Sequence, residues 1–372
     1  LAVSPADGLT FEQRRFPSGG QTPFAVAIAD LDGDQRADLA VTNASSETLG
    51  VLLATPDGGF RAGPGIAIGR SARGIAAADL DADGAADLVI ASAATNRVVV
   101  VHGDGRGGGT VKAYPASLAP FQVAVADLNG DGQLDVAVAD ECNATAFAGR
   151  GEVSVLFGDG RGGLTPGPVL RADTHPADVA AGDLDGDGRP DLAVVNWGSR
   201  NLSLFRNRGP SAEPLFDAAR TVDYRGAPAY TLALGDLDGD RAADLVVGDA
   251  RGVVHPLRND GRGGLTAASP LQAGAGLRSL TLADLDGDRR LDLATANTGD
   301  DSVSVFTRVG DGWSTPQRIA VGTRPRTIRA ADLDADGRLD LVVTNGGSND
   351  VSVLRQVEEQ SAPSGRRRRS PG

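Results

Sequence analysis

Seven times along this chain an aspartate is followed, at the third, fifth and ninth positions of the same segment, by further acidic or amide side chains. The segments begin at Asp30, Asp79, Asp127, Asp183, Asp236, Asp284 and Asp332, spaced 49, 48, 56, 53, 48 and 48 residues apart. Alternating carboxylates with one more beyond a turn have an obvious chemical use. When the chain curls, their oxygens converge on one hard cation, and the carbonyl of the seventh residue adds another ligand. Loop one would offer Asp30, Asp32, Asp34, the Arg36 carbonyl and Asp38, and loop two Asp79, Asp81, Asp83, Ala85 and Asp87. Loop three offers Asp127, Asn129, Asp131, Gln133 and Asp135, and loop four Asp183, Asp185, Asp187, Arg189 and Asp191. Loop five offers Asp236, Asp238, Asp240, Ala242 and Asp244, and loop six Asp284, Asp286, Asp288, Arg290 and Asp292. Loop seven completes the set with Asp332, Asp334, Asp336, Arg338 and Asp340.

Four carboxylates pressed together without a counter-charge raise one another's energy. Many mixed oxygen ligands on a flexible loop suit Ca2+ better than Mg2+. Up to seven such ions would bring +14 against a formal charge of −13. An EF-hand is excluded, because it needs flanking helices and a bidentate Glu at position 12. Position 12 here is Val41, Ile90, Val138, Val194, Val247, Thr295 or Val343, inside an apolar run. Position 6 is Gly in four loops but Gln35, Arg241 and Arg289 in loops one, five and six. If that position requires positive φ, these three sites are expected to be the weaker ones.

The elements that position the loops follow from the same period. Each unit of about 50 residues has a short run before the loop (Phe24 to Ala29) and an apolar run after it (Asp38 to Thr42). A third run (Val153 to Phe157) and a Gly-rich turn lead into a fourth strand. Short strands at regular spacing with turn chemistry between them make an all-β pattern. Seven four-stranded units predict a seven-bladed β-propeller. In the first strand, larger apolar residues such as Val26 and Ile28 alternate with Ala27 and Ala29, as converging blades require; Arg329 breaks this alternation. The last unit stops after its third strand, and Gly8-Leu9-Thr10-Phe11 matches the turn and fourth strand of other units. The N-terminal strand is therefore expected to complete blade seven, giving one domain over residues 7–356 and a disordered Arg-rich tail over 357–372.

Composition narrows the function classes. Arginine and lysine are not clustered within the repeats, so nucleic acid is not an expected partner. No apolar run is long enough to span a membrane. The single Cys142 excludes a disulfide framework, and His102, His175 and His255 sit in different units. No catalytic constellation emerges, and a monomeric binding protein is the leading expectation.

The run Asp183-Leu-Asp-Gly-Asp-Gly-Arg-Pro-Asp-Leu-Ala-Val-Val195 with Gly-Asp-Gly-Arg-Gly-Gly turns resembles the FG-GAP/VCBS repeat. That repeat builds integrin α-subunit propellers and occurs in fungal lectins and many secreted bacterial proteins. The resemblance implies the propeller, calcium in the acidic loops and a role in recognition or adhesion. Integrin propellers carry a cup of aromatics at the start of the first strand. The corresponding ring here, six residues before each loop, reads Phe24, Arg73, Phe121, Ala177, Tyr230, Arg278 and Arg326. With Trp197 nearby, it is expected to bind a carbohydrate or an acidic protein segment on the face opposite the calcium loops. The alternatives are a propeller-type polysaccharide lyase or hydrolase, or a structural protein-docking domain. Loops that need high free Ca2+ place the protein outside the cytosol, extracellular or periplasmic, with a signal peptide expected upstream of Leu1.

If the loops hold Ca2+ only in the folded state, each site stabilises by about 2.7 kcal/mol at a hundredfold excess over its Kd. Excess EDTA is then expected to lower Tm by many degrees in thermal melts, with Ca2+ restoring it better than Mg2+. Asp183→Ala is expected to weaken Ca2+ binding more visibly than Asp236→Ala; a melt indifferent to EDTA would remove calcium from the account.

Overall fold

The computed structural model describes residues 9–141 and 151–358. Cys142, most of the Ala139–Glu152 insertion, residues 7 and 8, and the tail from 359 with Arg366–Arg369 lie outside the described residues. No helix occurs among those described.

Seven antiparallel sheets form the blades. Their innermost strands are Pro23–Ala29, Ala72–Ala78, Pro120–Ala126, Pro176–Gly182, Ala229–Gly235, Leu277–Ala283 and Pro325–Ala331. Each is followed by its acidic loop and then by a six-residue second strand, such as Asp38–Asn43 or Asp340–Asn345, buried at every position. Runs of this kind, Leu-Ala-Val or Leu-Val-Val between polar ends, are apolar on both faces because a sheet lies against each. The fourth strand is the irregular one: in blades one and five it is split into two short pieces. The ring closes as expected. Thr10–Pro17 runs antiparallel to Asp350–Val357, with Thr10 opposite Val357 and Pro17 opposite Asp350. The innermost strand of blade seven also packs beside that of blade one.

The core is seven apolar clusters, one between each pair of neighbouring blades. The residue at position 2 of every acidic loop is a buried leucine, and it packs on the next blade around the ring. Leu31 meets Leu88 and Val101, and Leu333 meets Leu39 and Val41. Each such side chain contributes about 2 kcal/mol of apolar burial. The small residues of the inner strands are a steric necessity: a Cβ on Gly74 would sit 2.7 Å from the Gln122 Cα in the next blade.

Polar side chains tie neighbouring inner strands together. Asp178 of blade four accepts the Leu232 N–H of blade five at 3.1 Å, and Thr231 accepts the Leu280 N–H of blade six at 3.4 Å. Ser279 accepts the Ile328 N–H of blade seven at 3.3 Å, and the Thr327 hydroxyl donates to the Phe24 carbonyl of blade one at 2.8 Å. These bonds satisfy backbone groups that would otherwise be buried without partners.

The last residue of each second strand is a second recurrent device. Asn196, Asn297 and Asn345 each donate from the side-chain amide to a serine of the third strand: Ser203, Ser304 and Ser352, at 2.9, 3.0 and 2.9 Å. In blade three the residue is Asp140, fully buried, which accepts from the Ser154 hydroxyl at 2.6 Å while its Oδ1 has no partner. Burial pushes this carboxyl up to about 7, against the Ser154 bonds that favour the ionised form, and the Glu152 charge pushes the same way as burial. A carboxyl raised on folding costs stability as pH climbs from the unfolded value through the folded one. Asp140→Asn is therefore expected to stabilise the protein by about 1–3 kcal/mol above pH 7, with the gain fading as pH falls toward 4. Urea midpoints across that range check it.

Candidate functional site

The acidic loops share one backbone. In loop four, Asp183 accepts the N–H groups of Gly186 and Asp187 on Oδ1 at 2.8 and 3.2 Å, and that of Gly188 on Oδ2 at 2.8 Å. In loop one, Asp30 does the same with Gly33, Asp34 and Gln35. The fifth-position carboxylate accepts the N–H of position 7, as Asp131 does from Gln133 at 2.8 Å. The ninth aspartate is buried and bridges two elements. Asp38 accepts the Leu31 N–H at 2.9 Å and the Ala54 N–H, at the end of the third strand, at 2.7 Å. Burial raises this carboxyl in all seven loops, to about 6 for Asp135, Asp191, Asp292 and Asp340, despite the opposing backbone bonds.

Positive φ does occur at position 6, and not only for glycine: Gln35, Arg241 and Arg289 stand at 65°, 74° and 68°, beside 83–89° for the four glycines. Position 4 shares the requirement, with Ala82 at 59° and Ala335 at 60°. The sequence reading missed this second strained position, and only loops three and four carry glycine at both. The geometry suits a hard divalent ion. Ligand oxygens of Asp30, Asp32 and Asp38 lie within 4.8 Å of one another, as do those of Asp79, Asp81 and Asp83, of Asp183, Asp185 and Asp191, and of Asp236, Asp238 and Asp240. A donor set made of carboxylate oxygens fits Ca2+. In loop two, His102 Nδ1 has no hydrogen-bond partner and lies 3.7 Å from Asp87 Oδ1.

At the opposite rim the inner strands start, and the predicted ring converges on the channel mouth. Phe24 and Phe121 meet edge to face at 5.5 Å. Arg278 stacks 3.6 Å from the Tyr230 ring centre, Arg73 4.6 Å from Phe121, and Arg326 5.3 Å from Phe24. Trp197 joins through Tyr230 at 5.7 Å, and His175 meets Trp197 edge to face at 5.9 Å. The side chains thus pack on one another as a layer. Ala177 is buried beneath it and adds no contact group. Tyr224 is also buried, its hydroxyl donating to the Ala227 carbonyl at 2.6 Å, so it belongs to the core rather than to the rim.

Charge at this mouth is unbalanced. Arg73 pairs with Glu141 at 2.7 Å, while Arg278 and Arg326 form no ion pair among the described residues. Burial lowers both guanidinium groups, that of Arg326 to about 10 with the Arg278 charge adding to the effect, and the Arg326 Nε has no hydrogen-bond partner. A channel cavity of about 310 Å³ lies among these residues. Its wall also holds Asp178 of blade four and Arg329 of blade seven, which explains the break in the inner-strand pattern: the two charges face each other in the channel. The Arg329 signal was visible in the sequence, but its partner lies three blades away.

A family profile for the FG-GAP-like repeat matches residues 30–90, 79–138, 144–194, 183–247, 236–295 and 284–343. The chain belongs to the FG-GAP repeat family. Most of the matched units run from the first aspartate of one loop into the second strand beyond the next, so the FG-GAP unit straddles two blades. No curated relative matches the chain. Among solved structures it is similar to two crystal structures of BBS1N in complex with ARL6DN, one soaked with mercury and one with lead. Identity is 12% in both; 95% and 96% of this chain and 98% and 99% of those chains are covered, with TM-scores of 0.66 and 0.67. At that identity the likeness establishes the FG-GAP propeller fold.

Burial holds Asp178 at about 6, with the Arg329 charge working against a larger rise. Removing the cation raises that carboxyl further, and the cost appears only where Asp178 is ionised in the native protein. Arg329→Leu is therefore expected to be more destabilising at pH 8 than at pH 5 by about 1–3 kcal/mol, since at pH 5 it removes a buried charge that faces a protonated carboxyl. Chemical denaturation at the two pH values measures the difference.

Proposed function

We propose that this chain is a non-catalytic, calcium-stabilised docking propeller that takes an acidic protein segment at its channel mouth, on the face opposite the acidic loops. The observation that carries the reading is the pair Arg278 and Arg326, buried against Phe24, Phe121 and Tyr230 without a carboxylate partner. A partly dry guanidinium with unmet donors favours a carboxylate, which it binds in a bidentate manner. An acidic side chain entering the mouth would give Arg278 and Arg326 the direct ion pair that Glu141 makes with Arg73. The likeness to a propeller crystallised in complex with a protein partner supports a protein ligand. The aromatic faces of Trp197 and Tyr230 also suit a sugar ring, which keeps a uronate-containing glycan as the second reading. Calcium in the loops supports the scaffold rather than the ligand, and the need for high free Ca2+ agrees with a site of action outside the cytosol.

The test is a calorimetric screen of Asp/Glu-rich peptides and uronate oligosaccharides, run with and without chelator. The double variant Arg278→Ala/Arg326→Ala, with unchanged calcium-dependent melting, is expected to weaken the best peptide ligand at least tenfold. Full-strength binding by that variant would move the site away from the channel mouth. A preference for the oligosaccharides would favour the glycan reading.

A further inference from the structure

The acidic loops share a backbone but not an electrostatic environment. In loop four, Arg189 pairs with Asp187 and Arg206 with Asp185, on the carboxylates at positions 5 and 3. Loop one repeats the scheme, with Arg36 on Asp34 and Arg61 3.3 Å from Asp32. Loop seven does so again, with Arg338 on Asp336 and Arg355 3.0 Å from Asp334. Loops five and six each have one such partner: Arg258, 3.7 Å from Asp238, and Arg290 on Asp288.

Loops two and three have none among the described residues. Their seventh residues are Ala85 and Gln133, which carry no charge. The third-strand position that holds Arg206, Arg258 and Arg355 in blades four, five and seven holds His102 in blade two and Phe157 in blade three. His102 brings to the edge of loop two a ring nitrogen, Nδ1, with no hydrogen-bond partner, where blades four, five and seven place a guanidinium.

We infer that these arginines are resident counter-ions, and that tight divalent-cation binding is concentrated in loops two and three. The inference rests on the calcium reading above and refines it. A guanidinium on ligand positions 3 and 5 must be displaced or must share its carboxylates before a cation can use them. It also opposes the incoming charge at short range. Backbone strain does not reverse this order. Ala82 holds its positive φ in the same loop backbone as the glycines, so its cost falls on folding rather than on ion uptake. Loop four, the most complete by sequence with both glycines and all four aspartates, is on this argument a weak site, which reverses the order expected from sequence for Asp183→Ala and Asp236→Ala.

Ca2+ titration of the stripped protein, followed by calorimetry and native mass spectrometry, separates the possibilities. Two ions are expected in a tight class, with any others bound at least tenfold more weakly. Asp83→Asn with Asp131→Asn should abolish the tight class. Arg189→Gln with Arg206→Gln should raise it from two ions to three, a gain that misfolding cannot imitate. Seven equivalent ions, or a tight class untouched by the arginine double variant, would overturn the inference while leaving calcium in place. No Ca2+ uptake at all would instead sink the calcium reading itself.

Discussion

The ninth aspartate of each acidic loop is the interaction on which the rest of the propeller depends. Its two oxygens accept N–H groups from loop position 2 and from the end of the third strand, as Asp244 does from Leu237 and Asn259 at 2.8 and 2.7 Å. A carboxylate buried this deeply is tolerable only because charged hydrogen bonds from backbone N–H groups replace part of its lost hydration. The bridge fixes the loop against its own blade and points the position-2 leucine into the next one. The inter-blade cores are built on those leucines, so one polar contact per blade sets both local loop shape and ring packing.

Successive blades are further locked on the same side of the ring. In blades four, five and six the residue whose N–H bonds the ninth aspartate also reaches back with its side chain to the carbonyl of the preceding loop's leucine. Asn207 donates to Leu128, Asn259 to Leu184 and Arg308 to Leu237, at 2.8, 2.9 and 3.0 Å. Arg308 is buried for this purpose and stacks on Trp313 of its own hairpin. The two faces of the ring therefore differ in kind. The loop face is negative and self-bonded, with arginines spread unevenly over its carboxylates. The opposite mouth is aromatic and cationic, with hydrogen-bond donors left over. That asymmetry is what the proposed docking function rests on: carboxylates gathered on one face, unpaired guanidinium groups among aromatic rings on the other.

The repeat, the all-β class, the seven blades and the closure by the N-terminal strand were legible in the sequence, because each depends on local spacing and alternation. Turn chemistry recurs at fixed offsets, and a strand buried on both faces must read as an apolar run wherever it lies. The clustering of the loop carboxylates was legible for the same reason: positions 1, 3, 5 and 9 fall within nine consecutive residues. Only the tertiary structure decided what depends on distance along the chain. Asp178 and Arg329 are about 150 residues apart and meet because the ring brings blades four and seven to one channel. Arg206 reaches Asp185 because the third strand returns to its own loop, and nothing in either segment alone marks the pairing. Local pattern fixes which elements form and how they alternate. Which charges neutralise one another is set by the closed ring, since electrostatic partners are chosen by distance in space and not by distance in sequence.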